Sequence, residues 1–163
     1  VEYVRYGAVA LGALALLALC LIAAHPYRTK AVVPAPNTFT TGTFGGTSLE
    51  LEIAQSDEAE EKGLGGRSDV PDNYGMLFVF PVDGDYGFWM KDMQVPLDIF
   101  WLDDNGHVIT LKESIDPGTY PSVFYPTEDV RYVLETRAGY GAAHSIQVGS
   151  VLTGLPEDET VLQ

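Results

Sequence analysis

The chain has 163 residues, 46% of them apolar and 20% charged, with a formal net charge of −14. That length fits one globular domain with accessory segments, and the acidic excess excludes nucleic acid as a partner, because phosphate binding needs a basic surface. A single cysteine, Cys20, excludes an internal disulfide, a dithiol redox pair and a cysteine zinc site.

Residues 1–6 form a short stub. Residues 7–24, GAVALGALALLALCLIAA, are an uncharged apolar run of the length a membrane-spanning helix needs, about 17–25 residues. A cleaved signal peptide is the rival reading. Its apolar region is usually shorter, about 7–15 residues, and ends at a small-x-small site; here the run ends in Ala23-Ala24-His25-Pro26. Lipidation at Cys20 is disfavoured, because bulky Leu19 precedes it and the apolar run continues past it. An uncleaved anchor with a short N-terminal stub places the acidic domain outside the cytoplasm, at the periplasmic or cell-surface side. Residues 25–46, with Pro34, Pro36 and the tract TFTTGTFGGTS beginning inside it, show no sustained periodicity and are expected to be a flexible linker.

The soluble domain is expected over 47–163. Leu49, Leu51 and Ile53 alternate with Ser48, Glu50 and Glu52, as in a half-buried strand. Ser56 is a suitable N-cap, and Asp57, Glu58, Glu60 and Glu61 load the short helix that follows, where acids meet the positive end of the helix dipole. Gly63 and Gly65-Gly66 stop it, and Arg67 follows. The stretch from Gly75 to Leu111 organises the rest. Met76–Phe80 is apolar throughout, as a strand covered on both faces would be, and Pro81 is expected to end it. Phe88 and Met90 share one face of a short strand, with Trp89 and Lys91 on the other.

In the next strand, Leu97–Asp103, Asp98 stands in a row with Phe100 and Leu102. Its carboxylate is therefore expected to be buried, and a buried carboxylate needs a cation or hydrogen-bond donors. Arg67 and Lys91 are the expected cations. Asn105-Gly106 signals a hairpin with a primed turn, and His107, Ile109 and Leu111 are expected to return along one face. Residues 114–127 read as a long loop carrying Tyr120 and Tyr125, followed by a strand over 130–135, a short helix over 138–144 and a final short strand near Val151.

GMLFVF (75–80), FWMKDM (88–93), PLDIFWLDDNG (96–106), Tyr125-Pro126, YVLETRAG (132–139) and IQVGSVL (146–152), in that order, resemble the domain-of-unknown-function 192 family over residues 48–153. The resemblance implies an α+β, β-dominated domain: a compact, twisted, mostly antiparallel sheet or partly closed barrel with one or two short helices, here preceded by a single transmembrane helix. It implies no established activity. The family commonly has a bulkier Gly-Leu-Met-x-Arg where this chain has Gly63-Leu64-Gly65-Gly66-Arg67, and Asn where this chain has Asp92.

No catalytic signature is present: no G-x-S-x-G elbow, no H-E-x-x-H, no phosphate loop and no dinucleotide fingerprint. No cofactor and no metal is expected; turn chemistry accounts for Asp83, Asp85, Asp103 and Asp104. The candidate binding or polar-core set is Arg67, Trp89, Lys91, Asp98, Glu113 and Tyr125. It supports two functional expectations. The first is a membrane-tethered extracytoplasmic binding or accessory module for a glycan or peptide, with Trp89 as an aromatic contact. The second is a cell-envelope hydrolase using Asp98 and Lys91, with Glu113 as a second carboxyl.

Overall fold

A computed structural model describes residues 37–156. The apolar run at 7–24, most of the linker and the last seven residues lie outside the described residues. Among the described residues no helix is long and apolar enough to cross a membrane.

The domain is built on one open, six-stranded mixed sheet in the order β1-β2-β3-β8-β5-β6. In chain order the elements are β1 (Thr38–Phe44), β2 (Thr47–Ala54), α1 (Asp57–Lys62), β3 (Tyr74–Gly84), β4 (Phe88–Trp89), β5 (Leu97–Leu102), β6 (Val108–Ile115), β7 (Val123–Phe124), β8 (Val130–Arg137) and α2 (Tyr140–Ala143). Strands β4 and β7 pair separately. All neighbours in the main sheet are antiparallel except β2 and β3, which are parallel. A parallel pair needs a crossover, and residues 55–73, with α1, supply it. The fold is thus β-dominated with two short helices, as expected, but the sheet does not close into a barrel: β1 and β6 are its two edge strands, each met by the C-terminal segment through a few backbone bonds.

Both faces are covered, which explains why β5 is buried along its whole length and reads as a continuous apolar run. On one face Leu51, Leu77, Phe100, Leu102 and Leu134 pack under α2 and the C-terminal segment through Tyr140, Ile146 and Leu152. On the other, Met76, Phe78, Ile99, Trp101 and Val133 pack under Leu64, Val70 and Met90, with Ala59, Phe80, Tyr86 and Phe88 at the margin. These are called below the C-terminal face and the crossover face.

Several expectations need correction. Residues 38–44, read as linker, form edge strand β1, paired along its length with β2. Strand β3 runs through Pro81 to Gly84, because a register irregularity between Val79 and Gly84 removes the ladder bond that Pro81 could not donate. At the Asn105-Gly106 turn only Gly106 has positive φ, 81°, so the turn is not of the primed type. The Gly106 N–H donates to the Asp103 carbonyl, and the Asp103 carboxylate accepts from the N–H groups of Asn105 and His107. A bulge puts Ile109 and Leu111 against opposite cores. The terminal strand is replaced by isolated bridges, His107 with Val151 and Thr43 with Thr153.

Candidate functional site

Strand alternation sorts the polar residues onto the two faces. Asp98 lies with Phe100 and Leu102 on the C-terminal face and is fully buried, as expected. Its partners are not the expected cations. Opposite it, β6 bulges between Lys112 and Ile115, and Ser114 takes a φ of 54°. This aims the Ser114 N–H at Asp98 Oδ1, 2.7 Å away, and the Gly141 N–H donates to Oδ2 at 2.9 Å. Two backbone donors thus replace the guanidinium or ammonium, as buried carboxylates allow. Glu113 lies close by: a Cβ on Gly141 would meet both its Oε1 and Asp98 Oδ2.

Arg67 and Lys91 are on the crossover face, each with another acid. Arg67 Nη2 donates to Glu52 Oε2 at 2.8 Å and Nη1 to the Tyr74 hydroxyl at 2.6 Å. Lys91 Nζ donates to Glu61 Oε1 at 2.9 Å and sits 5.5 Å from the centre of the Trp89 ring. This pairing holds the Glu61 carboxyl below its usual range and the Lys91 ammonium above its own, through their hydrogen bond and mutual charge. Asp98 and Lys91 are therefore separated by the sheet and cannot act on one substrate group together.

Sequence reasoning missed the residue that matters most here. Glu135 stands beside Met76 and Ile99 in the middle of the sheet, facing the crossover side, and is 3% exposed. Its carboxyl accepts a hydrogen bond from the Leu64 N–H at 3.2 Å. Among the described residues no ion pair neutralises it; Arg67, whose charge acts on it, is committed to Glu52. Burial raises its pKa to about 7, against smaller lowering effects of the Leu64 N–H and Arg67. The chain passes over it at Gly63, which has a φ of 51° and no room for a side chain: a Cβ there would lie 2.9 Å from Glu135 Oε2. Alternation does not mark Glu135, because its same-face neighbours in the sequence are Arg131, Val133 and Arg137, two of them charged, whereas Asp98 stands in a row with Phe100 and Leu102.

Glu135 lines a cleft of about 190 Å³ between α1–Gly63 and an aromatic wall. The wall is a chain of ring contacts. Phe80 stacks on Tyr86 with centroids 3.6 Å apart, Phe78 meets Phe88 edge to face at 4.8 Å, and Phe88 meets Trp101 at 6.1 Å. The Trp101 indole N–H donates to the Tyr86 carbonyl, which fixes the turn carrying the wall. Glu60, Glu61, Lys62 and Lys91 flank the cleft. The Glu60 carboxyl is raised by partial burial and by Asp57. Beside the cleft, the β4–β7 pair exposes Trp89 and Val123, and the residues flanking β7 expose Tyr120 and Tyr125. Trp89 and Tyr120 approach to 6.2 Å, and Gly87 lies against Val123 and Tyr125. A second depression, about 510 Å³, opens past Gly63 towards Arg67 and Glu52. Among the described residues no cluster of three or more metal-type ligands occurs.

Of the six candidates, the structure thus puts Trp89 and Lys91 on this cleft, sets Tyr125 against Gly87 of its lining, and puts Arg67 beyond Gly63. Asp98 and Glu113 are on the far side of the sheet.

Comparison with known families decides the affiliation. The domain-of-unknown-function 192 family (DUF192), described as an uncharacterized ACR, matches residues 39–154. The chain belongs to this family. The match includes β1 from Phe39 on, α1, Gly63, the aromatic wall and Glu135. DUF192 carries no assigned function in that description. Comparison with curated proteins gives no match. Among solved structures, a protein of Sinorhizobium meliloti 1021 described as a candidate transcription regulator is 26% identical, with a TM-score of 0.68. That alignment covers 74% of this chain and 96% of the other. A protein of unknown function from Novosphingobium aromaticivorans DSM 12444 is 24% identical, with a TM-score of 0.66, over 76% and 94% of the two chains. The second likeness is one of fold. The position where DUF192 proteins commonly have Asn has a local reason in this chain: Asp92 takes a φ of 57°, a conformation that Asn and Asp adopt more readily than other side chains.

Proposed function

We propose that this DUF192 domain is a binding module. The cleft above Glu135 takes one small group of a glycan or peptide, and the exposed rings of Trp89, Tyr120 and Tyr125 hold the part that follows. Its volume, about 190 Å³, is below the ~300–1,000 Å³ typical of pockets for drug-sized ligands, so a larger ligand must continue over the rim. The apolar run at 7–24 would tether the module to a membrane with the acidic domain outside the cytoplasm. The observation that carries the reading is the combination of an aromatic wall, an aromatic rim and an un-neutralised buried carboxyl in one cleft, since binding sites pair apolar walls with a few placed polar groups.

A hydrolase built on Asp98 and Lys91 has no shared site to work in. The regulator description of the Sinorhizobium meliloti protein finds no support either, because a net charge of −14 opposes phosphate contact.

Calorimetric titration of the full chain with a panel of soluble oligosaccharides and short peptides tests the proposal. At least one panel member is expected to bind, and Trp89→Ala should weaken it about tenfold, the ~1.4 kcal/mol that one ring contact supplies. A panel without binders, or a binder indifferent to Trp89→Ala, would overturn it.

A further inference from the structure

Resting on that reading, we propose that the group seated at the cleft floor is an organic ammonium, held by the Glu135 carboxylate and by the aromatic rings that line the cleft. Glu135 lacks a second hydrogen-bond donor among the described residues. A carboxylate removed from water is costly unless it is paired or well supplied with donors. Asp98, across the sheet, has two backbone N–H donors at 2.7 and 2.9 Å. Glu135 has one, at 3.2 Å. The missing partner must come from the cleft side, and a cation satisfies the site better than a neutral hydroxyl.

The walls favour the same occupant. Aromatic faces carry negative quadrupole charge and attract ammonium groups, the more so when the site excludes water. The chain's own Lys91 shows the effect at the mouth, with its Nζ 5.5 Å from the Trp89 centroid. That ammonium is already balanced by Glu61. Lys62 is the other cation on the lining, against Glu60 and Glu135. The chain's net charge of −14 draws cations and repels anions at longer range. A carboxylate or phosphate ligand would meet Glu135 head on.

The test uses choline and its neutral tert-butyl isostere, which share shape and differ in charge, titrated into the full chain by calorimetry. Choline is expected to bind at least about tenfold more tightly than the isostere, the scale of a partly desolvated cation–π contact. In Glu135→Gln the preference should vanish through loss of choline affinity, with the isostere unchanged. Equal binding of the two probes, or a preference that survives in Glu135→Gln, overturns the ammonium assignment and leaves the cleft a binding site. So does a panel ligand that depends on Trp89 when neither probe binds. Absence of binding by both probes and the whole panel overturns the binding module as well.

Discussion

Glu135→Gln is expected to stabilise the fold at pH 8 by about 2–3 kcal/mol and to leave it unchanged at pH 4. The carboxyl titrates near 4.5 when solvated and at about 7 in the fold. Between those values the folded chain binds more protons than the unfolded one, so stability falls as pH rises through the window. Below the lower value both states hold a neutral acid and nothing is lost; above about 7 the penalty is complete. At ~1.4 kcal/mol for each pKa unit, the upper bound is about 3.5 kcal/mol. Glutamine keeps an oxygen for the Leu64 N–H and carries no charge at any of these pH values. Urea unfolding of both proteins at pH 4, 6 and 8 checks it. A variant less stable than wild type at pH 8 would mean that the carboxylate is already well satisfied.

The same substitution chemistry on the other face should act in the opposite direction. Asp98→Asn is expected to cost about 2–4 kcal/mol at neutral pH, because the amide offers one oxygen where two backbone N–H groups need acceptors. Its NH₂ must then face the Ser114 or the Gly141 N–H. An unsatisfied buried donor costs ~1–3 kcal/mol, and a hydrogen bond to a charged group is worth ~1.5–3. Adding Lys91→Met should change stability independently, within ~0.5 kcal/mol of additivity, since the two residues lie on opposite faces and share no partner. Urea melts of the two single variants and the double variant measure both quantities. A wild-type midpoint for Asp98→Asn, or strong coupling to Lys91, would contradict the geometry.

These two acids explain what was readable from residue order. Alternation within Leu97–Leu102 showed that Asp98 must be buried, since its neighbours two and four places on are apolar. It could not show the partners. The Ser114 N–H reaches Asp98 only because β6 bulges, and Gly141 only because α2 folds back over the sheet; both are long-range outcomes. Nearby cations were the natural guess, and the sheet separates them from Asp98.

The helix of Asp57–Lys62 was legible because its determinants are local: Ser56 accepts the Ala59 N–H as N-cap, and Gly63 closes the C-terminus. Strand β1 was not. Thr and Gly dominate it, and as an edge strand it buries only Gly42 and Phe44. Its alternation is weak, although threonine and phenylalanine at alternate positions are a strand signal. Glu135 shows a different failure. Its same-face neighbours in the sequence are Arg131, Val133 and Arg137, so alternation puts it on a polar face, and it is buried, with a cleft beside it, only once Gly63 and the 86–93 segment fold over it.

The contrast between the two acids is the core of the account. Asp98, with two backbone donors, is a structural group that holds β6 and α2 to the sheet. Glu135, with one donor and a cleft beside it, is available to a ligand. Such groups commonly lie at functional sites because the stability they cost is recovered on binding.

The most direct measurement is the titration of the Glu135 side-chain carboxyl carbon by NMR in the unliganded full chain. A midpoint near 7 is the expected result. A midpoint near the ordinary 4.5 would show a carboxyl already satisfied by water or protein, and would contradict the cleft as the place where this domain receives a partner.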